Sequence, residues 1–192
     1  MNLNEKQILM VMSLAYHNFT LIRDLTGELL ENSEMKLNEF YQKWSIQHFK
    51  EDVKLLPMNP GTVLMISYVN FLAAKQLWFD LFEETPISEL DEKWGLTDAE
   101  IESDESSDPS LRYVIRRMRN GLAHYRIEII SKKEIMDLEN TNYKEIMDNS
   151  YFVIRDIDEK TGKNFMIKIN FSNLSKLNSE IYTTISNHFF TT

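Results

Sequence analysis

The sequence predicts a mainly α fold, a four- to five-helix up-and-down bundle carrying a small C-terminal β-hairpin and a final helix. Three observations lead there. Apolar residues recur at three- and four-residue steps over 4–31 and 36–55, the period of an amphipathic helix. Residues 60–84 are apolar on most sides. Residues 151–158 and 164–171 alternate instead, which is the period of a strand.

The first helix is marked by Ile8, Val11, Met12, Ala15, Phe19, Ile22, Leu25 and Leu29, and the second by Leu37, Phe40, Trp44 and Val53. Pro57-Met58-Asn59-Pro60 breaks the chain, and Asn59 with Pro60 resembles a cap followed by a first helical residue. A helix as apolar as 60–84 is expected to be central in its bundle or to cover a partner subunit. Pro86 ends it, a short amphipathic piece spans Leu90 to Leu96, and the polar run 102–108 reads as a solvated loop. Asp108 is then the expected cap of a helix opening at Pro109 and reaching Arg126, after which Ile127 to Ile130 switch to a β-compatible pattern. Residues 159–163 form the hairpin turn, and Ser172 is the expected cap of the final helix. This outlines one domain over 1–192, with a helical bundle at 1–126 and an α+β extension at 127–192. Trp44, Trp78 and most methionines are expected in the core, with Trp94 pinning the acidic piece to the bundle.

The chain has 192 residues, 43% of them hydrophobic and 27% charged, values that exclude a disordered or membrane-embedded protein. There is no signal peptide or spanning segment by pattern, so a cytoplasmic protein is expected. The absence of cysteine excludes disulfides, thiolate metal sites and cysteine nucleophiles. The net charge of −9 argues against nucleic acid only until it is divided. Residues 83–109 hold eleven acids against one lysine, a local charge of −10 that leaves +1 for the rest.

Segment 111–126 is the informative one. It contains Arg112, Arg116, Arg117, Arg119 and Arg126, five of the seven arginines, and no acid. With Arg112 at zero on a helical wheel, Leu111, Val114, Ile115, Met118, Leu122 and Tyr125 occupy about 200–300°. The arginines, Asn120 and His124 fall between about −40° and 140°. Asn120 and His124 share a face, and Arg119 lies about 7.5 Å of rise from His124. Guanidinium groups fit phosphates through forked hydrogen bonds, and histidine moves protons near neutral pH. A phosphodiester between Arg119 and His124 is the ligand such an array suits. The small Gly121 and Ala123 would let another helix or a sugar-phosphate backbone approach. His17, His48 and His188 stand in separate helices without ligand spacing and are expected to be structural or surface residues.

Arg119-Asn120-Gly121-Leu122-Ala123-His124 resembles the signature of the HEPN superfamily, an arginine, a polar residue and a histidine four to six positions after the arginine, late in a bundle helix. The resemblance covers 4–126. It implies a homodimer in which two copies of the motif line one cleft, and metal-independent RNA cleavage as a toxin or in phage defence, with an antitoxin or regulatory protein as a further partner. It assigns catalysis to Arg119, Asn120 and His124, RNA-backbone contacts to Arg112, Arg116, Arg117 and Arg126, and no metal or cofactor. The alternative it leaves open is a non-catalytic dimer binding RNA, a nucleotide or a protein partner. In toxins paired with a minimal nucleotidyltransferase a tyrosine two residues after the histidine is modified. Here Tyr125 follows His124 directly and Arg126 takes that place, so this regulation is not expected. The acidic stretch is read as a solvated loop that could screen the arginine face.

Overall fold

The computed structural model describes Asn18, Leu21, Ile22, Asp24, Leu25 and Glu28, all helical, and residues 35–50, 60–131 and 148–190. His17 lies outside them. Helix α1 (Leu37–Phe49) buries Phe40 and Trp44 against Leu21, a small cluster of its own. Asp24 Oδ2 ties that cluster together, accepting from Trp44 Nε1 at 3.1 Å and facing His48 Nε2 at 3.2 Å, so His48 is structural. Helix α2 (Pro60–Leu77) buries Val63, Leu64, Phe71 and Ala74 but leaves Met65, Ile66 and Val69 exposed. It is therefore apolar on two sides and covered on one.

Three short 3₁₀ turns (Phe79–Leu81, Ile87–Glu89 and Glu92–Trp94) carry the chain through the acidic region, where Trp94 meets Phe82 edge-on. Strand β1 (Glu100–Ser103) follows, then helix α3 (Leu111–Ala123), strands β2 (Ile127–Ser131), β3 (Ser150–Ile157) and β4 (Asn164–Asn170), and helix α4 (Phe171–Phe190). The strands form one antiparallel sheet in the order β1-β4-β3-β2.

This overturns the mainly α bundle with an appended hairpin: the fold is mixed α/β. Phe152, Ile154, Phe165, Ile167 and Ile169 of the sheet share one core with Val114, Ile115, Met118 and Leu122 of α3 and with Leu174, Leu177 and Ile181 of α4. The sheet is part of the interior, because the apolar stripe of residues 111–122 is buried between it and the core side chains of α2 and α4. A buried polar joint also links α2 to α4, where Asn178 Nδ2 donates to Ser67 Oγ at 2.8 Å and Asn70 Nδ2 to the Asn178 carbonyl at 3.1 Å. Trp44 is buried as expected, whereas Trp78 is only half-buried.

Local caps differ from the sequence reading too. Ser110, not Asp108, caps α3, its Oγ accepting from the Tyr113 N–H at 3.2 Å. Asp108 instead accepts from the backbone and hydroxyl of Ser88. Asn170 caps α4 by accepting from the Asn173 N–H at 2.8 Å, while the Ser172 hydroxyl donates to Asp148.

The hairpin turn is closed by Asp158, which accepts from the Lys160 and Thr161 N–H groups, and Asp104 accepts from both nitrogens of Asn164. These bonds favour the charged carboxylates and hold both pKa values below the ordinary 3.8. A depressed carboxylate stabilises the fold above its unfolded pKa, and the contribution is lost as pH falls through the folded value. The β3–β4 turn should therefore loosen only below the usual aspartate range. An NMR titration of the Asp104 and Asp158 carboxyls should give midpoints under 3.8; values at or above it would contradict the assignment.

Candidate functional site

Helix α3 presents the motif at its C-terminal end. The Arg119 Nη1 donates to Asn120 Oδ1 at 3.3 Å, and Asn120 Nδ2 donates to Asp156 Oδ2 at 3.3 Å. This chain of bonds fixes which way the Asn120 amide faces. His124 stands one turn further on, exposed, at the helix C-cap. The structure thus joins Arg119 to Asn120 and leaves the imidazole separate. Among the described residues it makes no side-chain hydrogen bond.

Asp156 is 2% exposed and sits on β3 beneath this array. Besides Asn120 it holds Arg126 Nη1 at 3.3 Å and faces Arg117 Nε at 3.1 Å, the latter a charge contact off the N–H axis. Gly121 permits the arrangement. A β-carbon there would stand 2.5 Å from Ile154 Cγ2 and 2.6 Å from the Arg155 carbonyl oxygen. The small residue admits a strand of the same chain, not a second helix or a nucleic-acid backbone.

The five arginines separate into two groups. Arg117 is 1% exposed, clasped by Asp156 and Asp158, donating to the carbonyls of Asp156 and Lys163, and lying over the Tyr113 and Phe165 rings. Its expected place among the RNA-backbone contacts is corrected: the guanidinium is a core group. A wheel position near 140° is adjacent to Gly121 at about 180°, the flank that β3 covers. Arg112 is likewise occupied, donating to the carbonyls of Phe82 (2.6 Å) and Asp80 (3.3 Å) and pairing with Glu84. The acidic segment engages this end of α3, so it is not simply a solvated loop. Arg126 is half-buried and tied to Asp156. Arg116 and Arg119, by contrast, face no carboxylate within ion-pair distance among the described residues. Arg116 lies over the Tyr113 ring, and Arg119 Nε is buried without a hydrogen-bond partner.

A family model described as HEPN pEK499 p136 matches residues 4–191. The chain belongs to the HEPN superfamily. No curated protein and no solved structure matches it. The match takes in the hairpin and last helix as well as 4–126, so the sheet beneath the motif belongs to this HEPN unit. Membership supports a nucleotide-binding or RNase-like function in general. Among the described residues no helix is long and apolar enough to cross a membrane.

Two residues of this candidate site escaped the sequence reading. Asp156 carried a usable signal: it is an acid at the same strand phase as Phe152 and Ile154, where water is excluded. Lys75 carried a fainter one as the sole charged residue of α2. Its pKa is pulled below the ordinary lysine value by burial first, then by Arg119 and Arg116, with Asp156 opposing. Lys75, Arg116 and Arg119 therefore form a group of cations whose charges repel.

Proposed function

We propose that this HEPN chain is a metal-independent ribonuclease acting as a toxin or in phage defence, with Arg119, Asn120 and His124 from two copies lining one cleft. The observation that carries this reading is the uncompensated charge around Arg119. Its buried Nε has no hydrogen-bond partner, and Lys75 and Arg116 add positive charge with no carboxylate within ion-pair distance among the described residues. Burying an unpaired N–H costs about 1–3 kcal/mol. A phosphate oxygen at this point supplies the acceptor and the counter-charge together.

In the reaction, the 2′-oxygen attacks phosphorus, the bond to the 5′-oxygen breaks, and a 2′,3′-cyclic phosphate forms. His124 takes the 2′-hydroxyl proton or delivers one to the departing 5′-oxygen. Arg119 neutralises the charge that builds on the phosphoryl oxygens. Asn120, held by Asp156, keeps the Arg119 guanidinium aimed. Backbone contacts fall to Arg116 and Lys75, with Arg126 at the margin. The second reading, a HEPN dimer that binds RNA, a nucleotide or a protein without turnover, is favoured by one observation: among the described residues His124 has no orienting side-chain hydrogen bond.

Incubation with structured RNA in EDTA separates them. The wild type should cleave, leaving cyclic phosphate ends, and His124→Ala should slow cleavage by about 10²- to 10⁴-fold. Arg119→Ala should lower it by about 10²-fold or more. Absence of wild-type cleavage, or equal cleavage by both variants, removes the enzyme.

A further inference from the structure

Helix α3 does not end as its sequence would suggest. The Arg126 N–H donates to the Gly121 carbonyl at 2.9 Å and the Tyr125 N–H to the Leu122 carbonyl at 3.1 Å. This is the paired closure that ends many helices, and the residue it places in the left-handed region is usually glycine, sometimes asparagine. Here that residue is Tyr125, at φ 55°. A bulky side chain in this conformation is strained, and a strained residue beside a candidate catalytic histidine is an outlier that calls for a function.

The ring is not held there by burial, since Tyr125 is 49% exposed. Its neighbour is Tyr68 of α2, whose ring centre lies 6.2 Å away at a tilt of 46°. Tyr68 is itself fixed, donating its hydroxyl to the Leu122 carbonyl at 2.6 Å. Burial, with Tyr125 nearby, pushes its pKa up to about 12, so it remains a neutral donor at any working pH. One rigid ring therefore backs one exposed ring at the end of the motif helix. Seven residues along α2 from Tyr68, on the same side and about 10.5 Å away, Lys75 joins Arg116 and Arg119. The α2–α3 seam is thus aromatic at one end and cationic at the other. That is the layout of a nucleotide, with a flat base at one end and an anion at the other.

We propose that Tyr125, backed by Tyr68, is a base-stacking subsite that receives the nucleobase adjoining a phosphate held at Arg119. This rests on the reading of Arg119 as a phosphate ligand. The subsite tolerates any base, because it offers a ring face and no paired set of donors and acceptors. It also requires that the base be out of a helix, since both faces of a stacked base are already covered.

The test is equilibrium binding of a fluorescent 2′-O-methyl RNA oligonucleotide, which cannot be cleaved, and of versions with one abasic position moved along it. Stacking on an aromatic side chain is worth about 1–3 kcal/mol per base, or about 5- to 150-fold in affinity. At one position the abasic change should weaken wild-type binding within that range. In Tyr125→Gly the effect should shrink to about twofold or less, while thermal unfolding occurs no earlier than in the wild type, because glycine relieves the strained φ. Tyr125→Phe should behave as the wild type. If Tyr125→Gly keeps the full base dependence, or Tyr125→Phe loses it, the subsite is wrong. A wild type that binds intact and abasic strands equally, with Arg119→Ala weakening both, removes the subsite alone. Undetectable binding, or no effect of Arg119→Ala, removes the phosphate reading with it.

Discussion

Asp156→Ala should destabilise the protein by about 3–5 kcal/mol, the usual loss when one partner of a buried ion pair is removed. Both Asp156 and Arg117 have side chains 2% exposed, so the stranded guanidinium has no water to turn to. It keeps the carbonyls of Asp156 and Lys163, at 3.3 and 2.7 Å, but these do not neutralise it. Asp158 lies 3.7 Å from Nη1 and is one-third exposed, a weaker counter-charge. Asp156→Asn, which keeps an acceptor of the same shape, should cost less. Urea unfolding of the two variants decides the matter. A loss under about 1 kcal/mol for the alanine variant, the scale of an ordinary neutral hydrogen bond, would mean that Asp158 and the carbonyls suffice. The same substitution also frees Asn120 and Arg126, so on the ribonuclease proposal cleavage by whatever remains folded should fall.

Gly121→Ala should be harmful in the direction opposite to the general rule. Alanine in a helix interior normally stabilises by about 1 kcal/mol over glycine. Here its methyl group would enter the space of the Arg155 carbonyl and the Ile154 side chain. The carbonyl belongs to the backbone of a central strand and cannot rotate aside. Forcing α3 away from β3 should cost about 1–3 kcal/mol or more, and it should stretch the Asn120–Asp156 bond, already 3.3 Å long. The expected result is an earlier thermal transition together with, on the ribonuclease proposal, slower cleavage. A variant as stable as the wild type would show that the helix and strand separate without penalty.

Much of this arrangement was legible along the chain, and the exceptions share a cause. Period located α1, α3, the β3–β4 hairpin and α4, because each buries one face on a regular repeat, while α2 showed as an apolar run set off by Pro60 and Pro86. Strand β1 was invisible: four residues long, with Glu100 and Glu102 outward and only Ile101 apolar, it resembles any acidic loop until β4 lies beside it. A helical wheel sees one helix and not the strand along its flank. It therefore placed Arg117 with the exposed arginines, although Gly121 one turn on marks the side that β3 occupies. The motif Arg119, Asn120 and His124 was readable as residues. What was not readable was the sorting of its neighbours into cations paired with a carboxylate (Arg112, Arg117, Arg126) and cations without one among the described residues (Arg116, Arg119, Lys75), since the carboxylates and carbonyls that pair them come from other segments.

The sheet order has a consequence for how this protein comes into being. Strand β1 pairs with β4, more than sixty residues later in the chain, and α3 rests on β3. Long-range pairing of this kind is slow, because the loop must close before any contact repays it. A ribosome therefore releases the arginine-rich helix well before the strand that neutralises Arg117 and orients Asn120. Until β3 and β4 have emerged, the growing chain carries the motif without the strand partners that position its side chains.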